Sequence, residues 1–290
     1  MSTPLRIATR ASRQALAQSS AAADALSAAT GREVELVEVN TTGDIRADVP
    51  LHTMGGQGVF VKEVQLAVLD GRADLAAHSA KDLPSAPVDG LTIAAFTERR
   101  DPRDALIGST LGGLAEGATV ASGSVRRRAQ LRRVRSDLAF AELRGNIDTR
   151  LSKIPDGGAI VMAVAALQIL EMTDRVTEML GIDEFVPAVG QGCVAIECRS
   201  DDVGTIAALA MIDHAVTRHD VEVERAFLAE LGSGCSLPVG GHVVSGVLRT
   251  FLANLDSGVS VSDQIELSGT IEADVDLARA AAASAHGAVS

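Results

Sequence analysis

The thiol of Cys235 stands among residues too small to cover it, in the segment GSGCSLPVGG at 232–241. A sulfur flanked by glycine and serine has room for a bulky covalent group, whereas a packing cysteine is normally enclosed by large apolar side chains. The segment therefore indicates an attachment point. The alternative is a turn residue leading into a strand, because glycines and Pro238 are also typical of turns.

Basic side chains gather where a predicted strand feeds a predicted helix, in ASGSVRRR at 121–128. Ser124 is placed to cap that helix, and the free backbone N–H groups of a helix N-terminus attract anions. Arg126 and Arg127 oppose the helix dipole in the first turn, so their placement is better explained if an anion binds there. The segment predicts an anion site, with a solvated basic face as the alternative.

The next strand-to-helix junction, LRGNIDTR at 143–150, repeats this arrangement. Arg144 ends the strand, and Arg150 lies inside the helix, where pairing with Asp148 or solvent is the alternative. Successive junctions of one parallel sheet open on the same edge, where ligands of such folds bind. We therefore expect the arginines of the two segments to converge.

Two further junctions carry side chains of different chemistry. The segment DLAAHSAKDLP puts Ser79, Lys81 and Asp82 just beyond a strand. The segment TRAS forms a strand-to-helix turn with Arg10 and a capping Ser12. A carboxylate held near cations stays ionised and can stabilise a cationic intermediate. The alternative for the adjacent lysine and aspartate is a solvated loop.

Composition restricts the class of protein. The chain has 290 residues, 47% of them hydrophobic, which is enough for about two domains with buried cores. Three cysteines without metal-ligand spacing predict a cytoplasmic protein with no disulfide framework and no metal site. We find no export signal and no apolar run of membrane-spanning length, so no membrane partner is expected.

Charge is distributed unevenly along the chain. The formal net charge is −12 and Trp and Tyr are absent, which disfavours a nucleic-acid surface built on stacked aromatics. Residues 121–150 nevertheless carry eight Arg against three acidic residues, whereas residues 201–290 carry four Arg against thirteen. Because the planar guanidinium grips carboxylate or phosphate with two parallel hydrogen bonds, the basic segment favours an anionic small molecule.

Short β-rich runs alternate with helical patterns, which is typical of βαβ units with a mostly parallel sheet. A charged, proline-bearing segment at 97–103 interrupts the alternation and predicts a seam between two α/β lobes. The predicted strands and helices of these lobes are, in chain order, 5–8, 12–28, 34–39, 59–69, 74–77, 119–121, 126–135, 138–142, 146–153, 159–162 and 163–170.

The last third of the chain has a different pattern. A glycine-bearing crossover into a buried strand at 187–199 is expected to return the chain to the first lobe. A helix at 221–231, alternating segments at 242–254 and 259–271, and an alanine-rich helix from Asp274 predict a small α+β C-terminal domain.

Ten short motifs occur in a fixed order between residues 7 and 241: IATR, TGD, GVFVKE, HSAKDLP, DPRD, SVRR, LRGN, PAVGQG, ERAFL and the Cys235 segment. This ordered set resembles the porphobilinogen deaminase (hydroxymethylbilane synthase) family. Gln57 stands where the family often has lysine, Ala166 and Ser233 stand where it usually has glycine, and the C-terminal part is shorter than expected. We expect these departures to affect rate and C-terminal stability rather than the type of reaction.

The resemblance implies an α/β fold with two lobes like those of periplasmic binding proteins and mostly parallel sheets, the second lobe inserted into the first. A small α+β C-terminal domain follows. The implied bounds are 1–98 and 190–213 for lobe 1, 99–189 for lobe 2, and 214–290 for the C-terminal domain with the cofactor cysteine.

The implied activity is that of a monomeric transferase of tetrapyrrole and haem biosynthesis. It deaminates four porphobilinogen molecules, couples them head to tail on a dipyrromethane primer held by Cys235 through a thioether, and releases hydroxymethylbilane by hydrolysis. Each pyrrole unit bears an acetate and a propionate arm, so a growing chain needs many arginines. Loss of ammonia leaves a cationic azafulvene, which Asp82 is the candidate to stabilise.

The resemblance also implies roles for individual residues, with Asp82 as the catalytic residue. The residues implied to bind the cofactor are Cys235, Ser79, Lys81, Asp82, Ser124, Arg126, Arg127 and Arg144. The residues implied to bind substrate are Arg10, Ser12, Arg144, Arg150 and Gln191.

Three alternatives remain. A degenerate, non-catalytic anion-binding protein with the same two lobes would explain the arginines but neither Asp82 nor Cys235. A nucleic-acid binder using residues 126–135 is opposed by the net charge of −12. An acyl-transfer role for Cys235 lacks a convincing histidine or oxyanion motif beside it.

Overall fold

The structure is a computed structural model that describes residues 3–41, 61–232 and 237–290. Cys235, Gln57 and Ser233, together with the TGD motif and the first three residues of GVFVKE, lie outside the described residues.

The described residues form three sheets with helices packed against them. The strands are β1 (Leu5–Arg10), β2 (Val34–Val39), β3 (Leu75–Ser79), β4 (Leu91–Phe96), β5 (Asp104–Ile107), β6 (Thr119–Ala121), β7 (Ala139–Ala141), β8 (Ala159–Ala163), β9 (Glu178–Met179), β10 (Val194–Arg199), β11 (Val239–Val244), β12 (Val247–Ala253) and β13 (Ser260–Glu266). The α-helices are α1 (Arg13–Thr30), α2 (Lys62–Leu69), α3 (Val125–Val134), α4 (Ile147–Leu151), α5 (Val164–Gln168), α6 (Val203–Ala210), α7 (Ala215–Glu230) and α8 (Ile271–Val289).

The first sheet has the strand order β2-β1-β3-β10-β4. Strands β1, β2 and β3 are parallel, and β10 is antiparallel to both of its neighbours, so four strands share one direction. Side chains alternate across β1: Ile7 packs in the cluster that contains Leu26 of α1, whereas Ala8 packs in the cluster that contains Val64 of α2. Helices on both faces explain why the central residues of β1 and the first four residues of β3 are all buried, whichever face they point to.

The second sheet has the strand order β7-β6-β8-β5-β9. Strands β6, β7 and β8 are parallel, and β5 is antiparallel to both of its neighbours, as β10 is in the first sheet. The chain passes from the first sheet to the second through residues 97–103, and it returns through residues 180–193 to add β10 to the first sheet. The predicted α/β class with mostly parallel sheets is therefore confirmed. The exact domain bounds stay a prediction.

The C-terminal part is a three-stranded antiparallel sheet, β11-β12-β13, covered by α7 and α8. Phe227 of α7 and Leu248 of β12 are fully buried in its core together with Ala282 of α8. The α+β prediction is confirmed, although the segment 242–254 is a hairpin that begins at residue 239. Ser245 and Gly246 make its turn with positive φ angles of 52° and 74°.

Candidate active site

A cavity of about 680 Å³ lies between the two lobes and is lined by both of them. The first lobe contributes the carboxyl ends of β1 and β3, and the second contributes the start of α3 and the junction between β7 and α4. The predicted site residues that line this cavity are Arg10, Ser12, Ser79, Lys81, Asp82, Arg127, Arg144 and Arg150. Ligands bind at this edge of α/β sheets because successive junctions open there.

Local capping positions the first-lobe residues. Ser12 caps α1 by accepting a hydrogen bond from the backbone N–H of Ala15 at 3.3 Å, so the helix begins directly after β1. On the neighbouring strand, Ser79 Oγ donates to Gln18 Oε1 of α1 at 3.1 Å. Ser79 is thus tied to the helix that Ser12 starts.

Lys81 and Asp82 lie on a short 3₁₀ turn, Ala80–Asp82, that follows β3. Lys81 Nζ lies 3.4 Å from Gln191 Oε1. Burial, together with the positive charge of Arg127, lowers the pKa of Lys81 to about 8, although Asp82 opposes this shift. The cavity therefore holds a lysine whose charge depends on pH near neutrality.

The arginines at the start of α3 converge on one buried carboxylate rather than on solvent. Arg126 Nη2 lies 2.8 Å from Asp104 Oδ2, and Arg127 Nη2 lies 2.7 Å from Asp104 Oδ1. Burial by itself would raise the pKa of Asp104. The two guanidinium groups lower this pKa by a larger amount, so it lies well below the usual value of an aspartate. Ser124 caps α3 by accepting from the Arg127 backbone N–H.

Gln191 joins this ion pair to the first lobe. Its Nε2 donates to Asp104 Oδ1 at 2.8 Å and to the Pro102 carbonyl at 2.7 Å, while its Oε1 faces Lys81. Gln191, Arg126 and Ser124 are not among the residues that line the cavity. Their contacts place these three predicted site residues beneath the side chains that line the cavity.

Asp104, the buried partner of two predicted site arginines, was not predicted from the sequence. It is the last residue of the DPRD motif at 101–104. An aspartate at the start of an otherwise apolar strand needs a buried cation, so recognising β5 as a strand would have indicated such a partner. Nothing in the local sequence indicates that Arg126 and Arg127 supply it.

The junction after β7 brings Arg144 and Arg150 to the cavity. Gly145 has a φ of 113°, and a Cβ there would lie 2.7 Å from Thr149 Cγ2, so only glycine fits this turn. Arg150 Nε donates to the Gly145 carbonyl at 2.8 Å. Burial lowers the pKa of Arg150 to about 10, with help from the neighbouring arginines.

The side chains that line the cavity carry mostly positive charge. Among the described residues, the charged side chains that line the cavity are the cations Arg10, Arg13, Lys81, Arg127, Arg144, Arg150 and Lys153 and the carboxylates Asp82 and Asp148. Arg13 and Asp148, which the sequence analysis did not select, form an ion pair of 3.4 Å between α1 and α4. This excess of cations suits a ligand with several carboxylates.

The C-terminal part contacts both crossovers between the lobes. Glu224 of α7 accepts from Arg99 on the first crossover and from the Gly190 backbone N–H on the second. Arg225, the next residue, donates to the Pro84 carbonyl at 2.7 Å, two residues beyond Asp82. The helix that precedes the cysteine segment is therefore attached directly to the active-site loop.

The two described cysteines are buried, as the alternating apolar sequence around them predicts. Burial raises the pKa of Cys193 to about 12 and that of Cys198 to about 11, so both thiols stay protonated. Neither is suited to carry a bulky group.

Within residues 3–41, 61–232 and 237–290, no three His, Cys, Asp or Glu side chains are grouped as metal ligands would be. In the same part of the chain, no helix has both the length and the hydropathy needed to cross a bilayer.

Residues 5–207 match the family model described as porphobilinogen deaminase, dipyromethane cofactor binding domain, and residues 219–285 match that of the porphobilinogen deaminase C-terminal domain. The porphobilinogen deaminase of Trichlorobacter lovleyi is 44% identical over 270 residues, which cover 90% of this chain and 86% of the relative. That of Acidothermus cellulolyticus is 44% identical over 290 residues, covering 96% and 87%.

Among solved structures, a TRAP periplasmic solute binding protein from Desulfovibrio salexigens shares 10% identity with a TM-score of 0.44, covering 75% of this chain and 74% of that one. This likeness adds nothing to what the sheets already establish. The two family models together match most of the chain and these relatives are 44% identical over 90% or more of it, so the chain belongs to the porphobilinogen deaminase family.

Proposed function

We propose that the cavity between the lobes is where this chain deaminates four porphobilinogen molecules, couples them head to tail, and releases hydroxymethylbilane. The observation that carries this proposal is the lining itself, to which the described residues contribute seven cations and the two carboxylates of Asp82 and Asp148. Pyrrole units that each bear an acetate and a propionate arm would be held by such a surface. Arg10, Lys81, Arg127, Arg144 and Arg150 are the proposed carboxylate-binding groups.

The residues present fit the dipyrromethane group that the family carries. Two pyrrole rings carry four carboxylates, and the described lining, with seven cations against two carboxylates, has enough positive charge to neutralise them. Lys81, Arg127 and Arg144 would hold the acidic arms, with Ser79 beside them. When bound, the group supplies the free pyrrole end to which each new unit is coupled.

Ser124, Arg126 and Gln191 have an indirect role in this proposal. Ser124 caps the helix that carries Arg127. Arg127 donates to one oxygen of the Asp104 carboxylate, and Arg126 donates to the other. Gln191 holds that carboxylate and faces Lys81. They are positioning residues for the cations that face the ligand.

Asp82 is the proposed catalytic residue. When the protonated amino group on the aminomethyl arm of porphobilinogen leaves as ammonia, the C–N electron pair departs with nitrogen, and the ring with its retained methylene becomes a cationic azafulvene. A fixed carboxylate beside that ring stabilises the developing positive charge. Asp82 lines the cavity and follows the end of β3, so a packed strand holds it in place.

The attachment of the primer to Cys235 is tested by intact mass. Protein made in a cell with a working tetrapyrrole pathway is expected to carry a covalent adduct of two pyrrole rings, which Cys235→Ser abolishes. The matched control is Cys198→Ser, in which a buried cysteine is replaced and the adduct should remain. An adduct that survives Cys235→Ser would place the tether elsewhere.

The activity is tested by product analysis with porphobilinogen. Asp82→Asn is expected to fold and carry the adduct but to form tetrapyrrole about 10²- to 10³-fold more slowly, as expected for loss of a transition-state charge partner. Asp156→Asn, an exposed aspartate outside the cavity lining, is the control. An unmodified, folded wild-type protein without turnover would favour the non-catalytic anion-binding alternative.

The same proposal includes a monomeric, cytoplasmic enzyme that binds neither nucleic acid nor membranes. The formal net charge of −12 supports the absence of nucleic-acid binding, because it repels polyanions at long range. Light scattering should give the mass of one chain, and a salt titration should detect no affinity for DNA or RNA. Binding to either nucleic acid, or a dimer mass, would correct this part.

A further inference from the structure

Arg13 and Asp148 connect the two lobes across the cavity. Arg13 is the first residue of α1, and Asp148 is the second residue of α4. Arg13 Nη1 lies 3.4 Å from Asp148 Oδ1, and the two side chains are 58% and 57% exposed. Both line the cavity, so their high exposure places them at its mouth.

The position of Arg13 favours a carboxylate partner. Its guanidinium also lies 4.0 Å from Met172 Sδ, and the described residues offer it no further hydrogen-bond partner. A cation in the first turn of a helix opposes the helix dipole, whereas an anion there is stabilised. The first turn of α1 contains no acidic residue of its own. A carboxylate bound to Arg13 therefore also offsets an unfavourable local interaction.

Asp148 has the opposite effect on an anionic substrate. Of the described side chains that line the cavity, Asp82 and Asp148 are the two carboxylates, and only Asp82 has a proposed chemical role. A second negative charge repels a substrate with two carboxylates unless a cation masks it. The ion pair with Arg13 provides that masking, and because the pair is exposed it is weak.

We infer that Arg13 is a further substrate-binding residue, and that Asp148 holds its guanidinium until a carboxylate arm of porphobilinogen replaces it. This inference rests on the proposed function. No covalent bond changes in the exchange: the guanidinium turns from the protein's carboxylate to that of the substrate. The pair is broken and re-formed at the mouth as each of the four units arrives.

The exchange predicts opposite effects of two substitutions that break the same ion pair. Arg13→Gln removes the binding group and should raise the KM for porphobilinogen about two- to fivefold. Asp148→Asn removes the competitor and should lower KM by a similar factor. In the double variant the effect of Asp148→Asn should vanish, because no guanidinium remains to be released. Arg13→Lys should recover part of the binding.

Matched controls exclude general effects of charge and stability. Arg279 and Asp276 form an exposed ion pair of 3.2 Å on α8, and Arg279→Gln and Asp276→Asn should leave KM unchanged. Intact mass should show that every variant carries the primer, so that a change in KM does not reflect its loss. The thermal unfolding temperature of every variant should lie close to that of the wild type.

Two results would overturn the inference. If Arg13→Gln and Asp148→Asn shift KM in the same direction, the pair is only a structural contact between the lobes. If Asp148→Asn lowers KM equally in the Arg13→Gln background, its charge acts through space and not through Arg13. Both results require a wild-type enzyme that makes tetrapyrrole, whereas a wild type without turnover contradicts the proposed function instead.

Discussion

Arg99 and Glu224 form a two-point ion pair in which Nη1 lies 2.7 Å from Oε1 and Nη2 lies 3.0 Å from Oε2. The Glu224 carboxylate is fully buried, and it also accepts from the backbone N–H groups of Gly190 and Val243 at 2.8 Å each. Arg99 and Gly190 lie on the two crossovers between the lobes. One carboxylate therefore attaches the C-terminal part to both connections of the lobes.

Glu224→Gln is expected to lower the free energy of unfolding by about 3–5 kcal/mol, because it leaves the buried Arg99 guanidinium without its counter-charge. Urea denaturation followed by circular dichroism measures this change. Glu230→Gln is the control, since Glu230 is an exposed carboxylate on the same helix. A loss below about 1 kcal/mol, as for a surface ion pair, would contradict the prediction.

The same carboxylate should contribute to acid sensitivity. Although burial raises the pKa of Glu224, Arg99 and His242 lower it to about 2, below the usual 4.5. The stabilisation is therefore complete above pH 4.5 and is lost as the pH falls from about 4.5 to about 2. The wild type should lose more stability over this range than Glu224→Gln. Parallel pH profiles would contradict this assignment.

Arg225 is expected to position Asp82 from the C-terminal part, since its Nη2 donates to the Pro84 carbonyl at 2.7 Å. Arg225→Gln should lower kcat about tenfold, equivalent to about 1.4 kcal/mol in the transition state, with a smaller change in KM. Arg225→Lys should restore part of kcat because it keeps a charged donor. Steady-state kinetics measure both constants. An unchanged kcat with a lower unfolding temperature would confine Arg225 to a structural role.

Asp104→Asn should destabilise the second lobe because Arg126 and Arg127 both lose their buried counter-ion. The expected loss in the free energy of unfolding is about 3–5 kcal/mol. Asp101→Asn is the control from the same motif, since Asp101 pairs with the partly exposed Arg103 and should lose about 1 kcal/mol or less. Equal losses in the two variants would contradict the distinction between them.

Lys81 should produce an alkaline limb in the pH profile of kcat/KM. Burial lowers its pKa to about 8, so its charge, and its attraction for carboxylates, is lost above that pH. Lys81→Arg keeps the charge and should remove this limb, while any titration of the substrate itself remains. The same alkaline fall in wild type and variant would exclude Lys81 as its source.

The effect of Lys81 on stability has the opposite sign. Its folded pKa of about 8 lies below the usual 10.5, so the unfolded chain binds the additional proton between these values. The contribution of Lys81 therefore makes stability rise with pH across this range. Urea denaturation of wild type and Lys81→Arg at pH 8 and pH 10 measures the difference. No difference between them would show that Lys81 is not desolvated.

Much of the architecture could be predicted from local pattern. The bounds of β2 and β6 agree with the sequence to the residue, and α1 differs by one or two residues at its ends because Ser12 and Gly31 mark them. Strands β4, β5 and β9 and helix α6 were not predicted. Strand β5 begins with an aspartate that reads as a loop residue until buried arginines neutralise it.

The sequence by itself determined the family, the α/β class, and a set of predicted site residues of which eight line one cavity. It could do so because parallel strands end at the same edge of a sheet, which brings distant junctions together whatever the details of packing. Only the tertiary structure decided which of the predicted arginines line the cavity. Arg126 and Arg127 have the same local sequence, yet burial against Asp104 and the Val186 carbonyl removes the first from the cavity. The pair of Arg13 and Asp148 is likewise decided by how the lobes meet, since it joins residues 135 positions apart.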